Sequence, residues 1–459
     1  MRPVVVLLVV GLTRRQLGED TPRLSALAAE GFAAPVEPVL PAVTCAVQAT
    51  YLTGFLPSRH GVVGNGWYWR DRAEVSLWKQ SNRLVEAPKV WDLARARDER
   101  FTCAQLFWWF NMFADVEWSV TPRPAYLQDG RKVPDVYSDP PALRRRLNAE
   151  LGRFPLFEFW GPMTSIRSTR WIVDCALSVL EREAPALTLA YLPHLDYDHQ
   201  RFGPVAPESR RALREVDREA GRLIDAARAA DAEVVVLSEY GIEPVHTPVH
   251  VNRVLREAGY LEPWLNLDAW ELLEPGACRA FAVADHQVAH VYVRDPSDVA
   301  AVRDLLARTP GVERVFDAQT KAEVGLDHPR AGELVALAAP GHWFTYYYWL
   351  DDALAPDFAR TVDIHKKPGY DPCELFLDPA KTAVKAQVGW KLARKALGFR
   401  TVLDVIPLDA TLVRGSHGRP PASPEDGAVL ICSSREGERE RLAPTDVCAF
   451  LLDRLGLGS

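Results

Sequence analysis

Residues 4–10 form an unbroken run of Val and Leu, the pattern of a parallel strand buried on both faces. Thr21 and Pro22 then open a predicted helix, with Thr suited to the cap and Pro to the first helical position. It runs through Leu24 and Leu27 and stops at Gly31. The alternation returns further on. Residues 187–192 read as a strand and 207–230 as a helix, with Leu213, Val216, Ala220, Leu223 and Ile224 on one face. A second buried strand is predicted at 234–237, a helix at 248–259, a strand at 288–293 and a closing amphipathic helix at 445–455. Strands alternating with helices predict an α/β sandwich around a central, mainly parallel sheet. In such sheets chemistry collects just past the carboxyl ends of the strands.

Two stretches break the alternation. Residues 66–185 hold nine of the 14 tryptophans together with Pro-rich turns. They are expected to form an inserted, aromatic-rich cap on a core made of residues 1–65 and 186–459. A second irregular stretch, about 340–400, contains the aromatic run 343–349 and is expected to lie near the site. The aromatics either pack together or stack a planar ring.

The 459 residues are 48% hydrophobic and 25% charged, with a formal net charge of -7. Those values are ordinary for a globular chain with a sizeable core. They lead away from a general grip on nucleic acid polymer or on a membrane. No run reaches the length of a spanning helix. The apolar start, residues 1–12, has one basic residue and no small-residue cleavage site, so it is expected to be a first strand and not a signal segment. Seven cysteines without CxxC spacing read as reduced thiols, which points to the cytoplasm.

Four segments beside predicted strands carry candidate chemistry. Thr44 stands at a predicted helix start, where the helix dipole favours an alkoxide or a bound anion; it is either a helix cap or a nucleophile. The run 191–204 places Asp196, Asp198, His199 and Gln200 ahead of Gly203-Pro204, in what reads as a loop. The strand 234–237 is followed by Ser238-Glu239-Tyr240-Gly241. Near the end stands Ser416-His417-Gly418. His365 and Lys366 lie in a basic, turn-forming segment that can meet an anion or simply face solvent. His286, just before the strand at 288–293, and His290, within it, read as structural.

In order and flanks these segments, with Thr53-Gly54, His60-Gly61 and Asn65, resemble the type I phosphodiesterase/nucleotide pyrophosphatase branch of the alkaline phosphatase superfamily. The resemblance implies an alkaline-phosphatase-like fold and Thr44 as nucleophile. It implies Asp196 and His417 as ligands of one metal, with His199 as their third partner. Several positions depart from the family pattern. Val10 stands for an Asp, Val47 for an Asn, Gln200 for a His, and Glu239-Tyr240 for Asp-His. Two replaced ligands leave a second metal held by one carboxylate. The expectation is therefore one divalent ion, zinc by the chemistry of its donors, or none. Glu239 is the expected general base. Gln48, Asn65, Tyr240, His365 and Lys366 are the expected substrate contacts. The substrate would be a small anionic phosphorylated metabolite, hydrolysed at a phosphoester, phosphodiester or pyrophosphate bond. A repurposed non-hydrolytic pocket and a silent ligand-binding protein are the alternatives.

Overall fold

The structure, a computed structural model, describes residues 1–128, 131–381, 383–399 and 401–458. In chain order the main elements are strand β1 (Val4–Val9), helix α1 (Pro22–Glu30), strand β2 (Phe32–Pro35) and helix α2 (Thr44–Thr53). Strands β3 (Cys103–Leu106), β4 (Trp118–Pro122) and β5 (Val136–Asp139) follow, then helix α3 (Ile166–Glu183) and strand β6 (Leu187–Leu192). Helices α4 (His194–Phe202) and α5 (Pro207–Ala229) precede strand β7 (Glu233–Leu237). Four strands, β8 (Ala280–Asp285), β9 (Val288–Val293), β10 (Val312–Phe316) and β11 (Leu334–Ala338), form a separate antiparallel sheet. Helix α6 (Val384–Ala396), strand β12 (Val429–Cys432) and helix α7 (Asp446–Arg454) complete the set.

The main sheet has eight strands in the order β2-β12-β7-β1-β6-β3-β4-β5. The middle five run parallel, from β7 through β1, β6 and β3 to β4, while β12 and β5 are antiparallel to their neighbours. Every residue of β1 is buried. Each of its Val and Leu side chains contributes about 1.5–3 kcal/mol by leaving water. The amphipathic helices α3 and α5 pack against each other on one face of the sheet, with α1 beside α5. The core of this half is a single continuous apolar cluster. A second cluster underlies the four-stranded sheet and the aromatic run 343–349.

Two expectations change. Residues 66–185 are not a separate cap, because β3, β4 and β5 complete the main sheet and α3 packs on it. The physical reason is that these strands are short and bury polar side chains: Gln105, Ser119 and Thr121 are all fully buried. The unit that stands apart from the main sheet is the later four-stranded sheet. The helix expected at 248–259 begins only at Val251, since Thr247–Val249 is a strand paired with His342–Phe344.

Candidate active site

Helix α2 starts at the carboxyl ends of the central strands, and every one of its residues is buried. Its cap is Val43, so Thr44 is the first helical residue and its hydroxyl is not used in capping. The hydroxyl instead lies 2.9 Å from the phenolic oxygen of Tyr240. Asn65 holds the same helix end, accepting from the Cys45 amide at 2.9 Å. Its own side chain donates to Asp285 Oδ1 at 3.0 Å and its backbone amide to Asp285 Oδ2 at 2.8 Å. One turn into α2, Gln48 donates to Glu239 Oε1 at 2.8 Å and accepts from the Trp109 amide at 2.8 Å. Gln48 thus holds Glu239 in place, and Asn65 ties the helix end to Asp285.

Glu239 and Tyr240 leave the end of β7. Gly241 follows because the chain passes against the Asp426 carbonyl, where an added Cβ would lie 1.8 Å away. The free oxygen of Glu239, Oε2, is buried without a hydrogen-bond partner. Burial pushes this carboxyl up to about 8, against the pull of the Gln48 bond. Asp196 is pushed up to about 7, again by burial, with the Gln200 bond opposing. Burial and the two neighbouring acids, Asp196 first, raise the Tyr240 phenol well above its ordinary value of 10. It is therefore a neutral hydroxyl and not a phenolate ligand.

His417 donates from Nδ1 to the Ala42 carbonyl at 2.8 Å, which leaves Nε2 as an unprotonated lone pair. Nε2 lies 3.9 Å from Asp196 Oδ1. Both atoms are buried without partners. The Tyr240 ring stacks on the His417 imidazole at 3.5 Å, and His286 lies on the other side at 3.7 Å. Tyr370 then stacks on His286 at 3.6 Å. The result is a column of four rings. Asp285 accepts from His286 Nδ1 at 2.8 Å, tying the column to Asn65 and hence to the Thr44 helix end. Half-buried Trp78 and Trp160 meet the far side of Tyr370 edge-on or tilted, at 6.1 and 5.7 Å.

The structure thus brings together Thr44, Gln48, Asn65, Asp196, Glu239, Tyr240 and His417. It does not bring His199 with them. The run expected to be a loop is helix α4, and on a helix the residue four after Asp196 shares its face. That residue is Gln200, which donates to Asp196 Oδ2 at 2.9 Å and accepts from the Tyr370 hydroxyl at 2.9 Å. His199 is turned away and lies 2.8 Å from the Gln16 amide nitrogen. His365 and Lys366 are exposed outside the centre, on the segment leading to Tyr370. Lys367, next in sequence, is buried between Asp371 and Glu374, each at 2.7 Å. His286 and Tyr370 were not singled out as site residues. Neither sits in a motif, and only the fold sets His286 against His417 and Tyr370 on His286.

A zinc centre needs three or four protein donors. Two donors face each other here, Asp196 Oδ1 and His417 Nε2. Among the described residues no three His, Cys, Asp or Glu side chains are grouped so as to hold a metal ion. The residues present therefore do not fit the expected ion. A groove of about 450 Å3 lined in part by Val39, Leu56, Phe316 and Leu337 shares no residue with this centre.

The model of one protein family, type I phosphodiesterase / nucleotide pyrophosphatase, matches residues 4–371. A Schizosaccharomyces pombe protein described as an uncharacterized pyrophosphatase/phosphodiesterase is 25% identical over 266 residues, which is 55% of this chain and 46% of that protein. The chain thus matches about half the length of that relative. Among solved structures, murine ectonucleotide pyrophosphatase / phosphodiesterase 5, an inactive Thr-to-Ala variant with AMP, superposes with a TM-score of 0.60 at 15% identity, covering 100% of this chain and 96% of that one. Phosphonoacetate hydrolase of Sinorhizobium meliloti 1021, with phosphonoformate, gives 0.61 at 15% identity, covering 99% and 96%. These likenesses show a shared fold.

Proposed function

The chain belongs to the type I phosphodiesterase / nucleotide pyrophosphatase family, and from that premise we propose that it hydrolyses a phosphodiester or pyrophosphate bond in a small anionic metabolite, with Thr44 as nucleophile. One observation carries the reading. The Thr44 hydroxyl stands uncapped at a buried helix start, 2.9 Å from Tyr240, beside three buried polar atoms without partners: Asp196 Oδ1, Glu239 Oε2 and His417 Nε2. Buried polar atoms are almost always satisfied, so three at one spot mark a place where another group binds. The AMP and phosphonoformate held by the two fold neighbours are small phosphorus-containing anions, the ligand class inferred here.

In the proposed reaction Thr44 Oγ attacks phosphorus, and the bond to the leaving oxygen breaks. Glu239 takes the proton released by Thr44 and passes it to the leaving group. Water then attacks phosphorus in the ester formed on Thr44 and gives its proton to Glu239; the Thr44 Oγ–P bond breaks, Oγ takes that proton back, and a phosphate monoester leaves. The α2 dipole and the protonated carboxyl of Asp196 stabilise the equatorial oxygens. Lys367 is committed to its two carboxylates and offers the substrate no charge. A singly charged diester therefore enters at lower cost than a doubly charged monoester.

The test is turnover of a nitrophenyl phosphodiester by the purified chain and by Thr44→Ala. Loss of about a thousandfold or more, with a phosphorylated Thr44 peptide trapped by acid quench, is the expected result. Unchanged turnover in Thr44→Ala removes the nucleophile. Saturable binding of phosphorus-containing anions with no turnover of any diester or pyrophosphate supports the silent-binding alternative, which the short donor set favours.

A further inference from the structure

Between Asp378 and Asp404 the sequence carries six basic residues, Lys381, Lys385, Lys391, Arg394, Lys395 and Arg400, and no acidic one. The chain as a whole is negative. The local sign is therefore the reverse of the global one that led away from membranes above.

Helix α6 lies in this stretch. Its inner side is fixed, with Val384 and Val388 packed on the cluster that also contains Tyr370. Lys381 and Lys391 both pair with Asp404. Exposed apolar side chains stand on the helix, at Trp390 and Leu392, and just past its end, at Leu397, Phe399 and Val402. Trp390 is 67% exposed, Leu397 76% and Phe399 56%. The exposed Arg394 guanidinium lies 5.7 Å from the Phe399 ring. Isolated exposed apolar residues need no explanation. Five within 13 residues of a segment without acids do.

Two properties together select the occupant. Lys and Arg around exposed Trp, Phe and Leu are the composition of a helix that lies in a lipid interface, with Trp at headgroup depth and the cations on anionic lipid. No helix among the described residues is long and apolar enough to cross a membrane, so the contact is one of lying on the surface. We propose that this stretch docks the protein on a bilayer surface rich in anionic lipid, inserting Trp390, Leu397 and Phe399, with the exposed Arg394 guanidinium meeting lipid phosphate and the excess of basic over acidic residues in the sequence between Asp378 and Asp404 supplying the attraction. The inference does not depend on the hydrolase reading.

The test is cosedimentation of the full chain with vesicles of phosphatidylcholine alone and with about 30% phosphatidylglycerol. Binding is expected only with the anionic lipid, falling by about tenfold between low and roughly 0.5 M salt. Trp390→Ser with Phe399→Ser, both exposed and so without effect on the fold, is expected to weaken it by about tenfold or more. The tryptophan emission should shift to the blue on vesicles, and Trp390→Ser should remove that shift. Equal binding to both lipids, no binding, or binding unaffected by the double substitution overturns the proposal. So does retention of an RNA homopolymer in place of vesicles, or a concentration-dependent dimer that the same substitutions abolish.

Discussion

The phenol ring of Tyr240 lies parallel to the imidazole of His417, with planes 9° apart and centroids 3.5 Å apart, while its hydroxyl reaches Thr44 at 2.9 Å. One side chain therefore couples the candidate nucleophile to the candidate imidazole, at a position where the family resemblance implies a metal ligand. Removing the hydroxyl and removing the ring should do different things. Tyr240→Phe keeps the column and loses one buried neutral hydrogen bond, a cost of about 1 kcal/mol in stability. Its kcat is expected to fall roughly 10- to 100-fold with KM little changed, since Thr44 loses its partner. Tyr240→Ala opens a cavity and is expected to cost about 3–5 kcal/mol. Thermal melts and steady-state kinetics on both variants check this.

The two raised carboxyls predict a pH dependence of stability with a definite sign. Glu239 goes from an ordinary 4.5 to about 8, and Asp196 from 3.8 to about 7. A folded-state pKa above the unfolded value means that the folded chain binds more protons in between. The contribution is fully present below about pH 4 and is lost as pH rises through 7 and 8. The melting temperature should therefore decline between about pH 5 and 8, measured against the trend set by the other groups. Glu239→Gln, which stays neutral at every pH, should flatten the upper part of that decline. An unchanged slope in Glu239→Gln would show that this carboxyl ionises at its ordinary value. If Glu239 acts as the base while the Asp196 carboxyl must keep its proton, kcat/KM follows a bell with its maximum between about 7 and about 8.

How the sequence anticipates these features depends on where the information lies. The runs at 4–10, 187–192 and 234–237 are strands because Val and Leu buried on both faces permit little else, and the structure has β1, β6 and β7 there. The ends of α1 are legible from Thr21-Pro22 and Gly31, and those of α5 from Pro207 and a long amphipathic face. The strands β3, β4 and β5 are not legible, since they are at most five residues long and bury Gln105, Ser119 and Thr121. Helix α4 is hidden by its polarity: His194, Asp198, His199 and Gln200 read as a solvated loop and are buried. The meeting of Thr44, Asp196, Glu239, Tyr240 and His417 follows from strand order, because each lies past a strand's carboxyl end or beside one. The stacking of Tyr370 on His286, and of His286 against His417, brings together segments far apart in the chain, and no local pattern encodes it.

The buried ion triad beneath Tyr370 is expected to be costly to break from one side. Lys367 bridges Asp371 and Glu374, which raise it to about 12 against the opposing effect of burial. Glu374 also accepts from the Trp160 indole at 2.5 Å and from the Asp363 amide at 2.9 Å. Lys367→Met leaves two carboxylates buried without their cation, a loss of about 3–5 kcal/mol. The same change should loosen Tyr370, and with it the His286–His417 stack, so activity is expected to fall as well. Lys367→Met combined with Asp371→Asn and Glu374→Gln removes all three charges and should recover most of the stability. Denaturant unfolding of the single and triple variants decides whether the charges or the side-chain shapes hold this segment.

The donor geometry around Asp196 yields the sharpest prediction. Asp196 Oδ1 and His417 Nε2 face each other 3.9 Å apart without partners, and Gln200 occupies the place on α4 from which a third ligand would reach them. Gln200→His should place a second imidazole one helical turn from Asp196, completing two nitrogens and a carboxylate, the three-ligand set of a zinc site. The parent chain is expected to bind zinc no more tightly than a surface His pair and to keep its turnover after chelator dialysis. The variant is expected to take up one zinc per chain, measured by elemental analysis after gel filtration, and its affinity should fall as pH drops and the imidazoles protonate. The Tyr370 hydroxyl loses its acceptor in the process, so a small drop in stability without zinc and a larger gain with it are the expected pair of melts. If the parent chain itself retains zinc stoichiometrically through gel filtration, donors beyond Asp196 and His417 must close on the ion, and the carboxylates of Glu239 and Asp285 are the nearest acids that could move to do so.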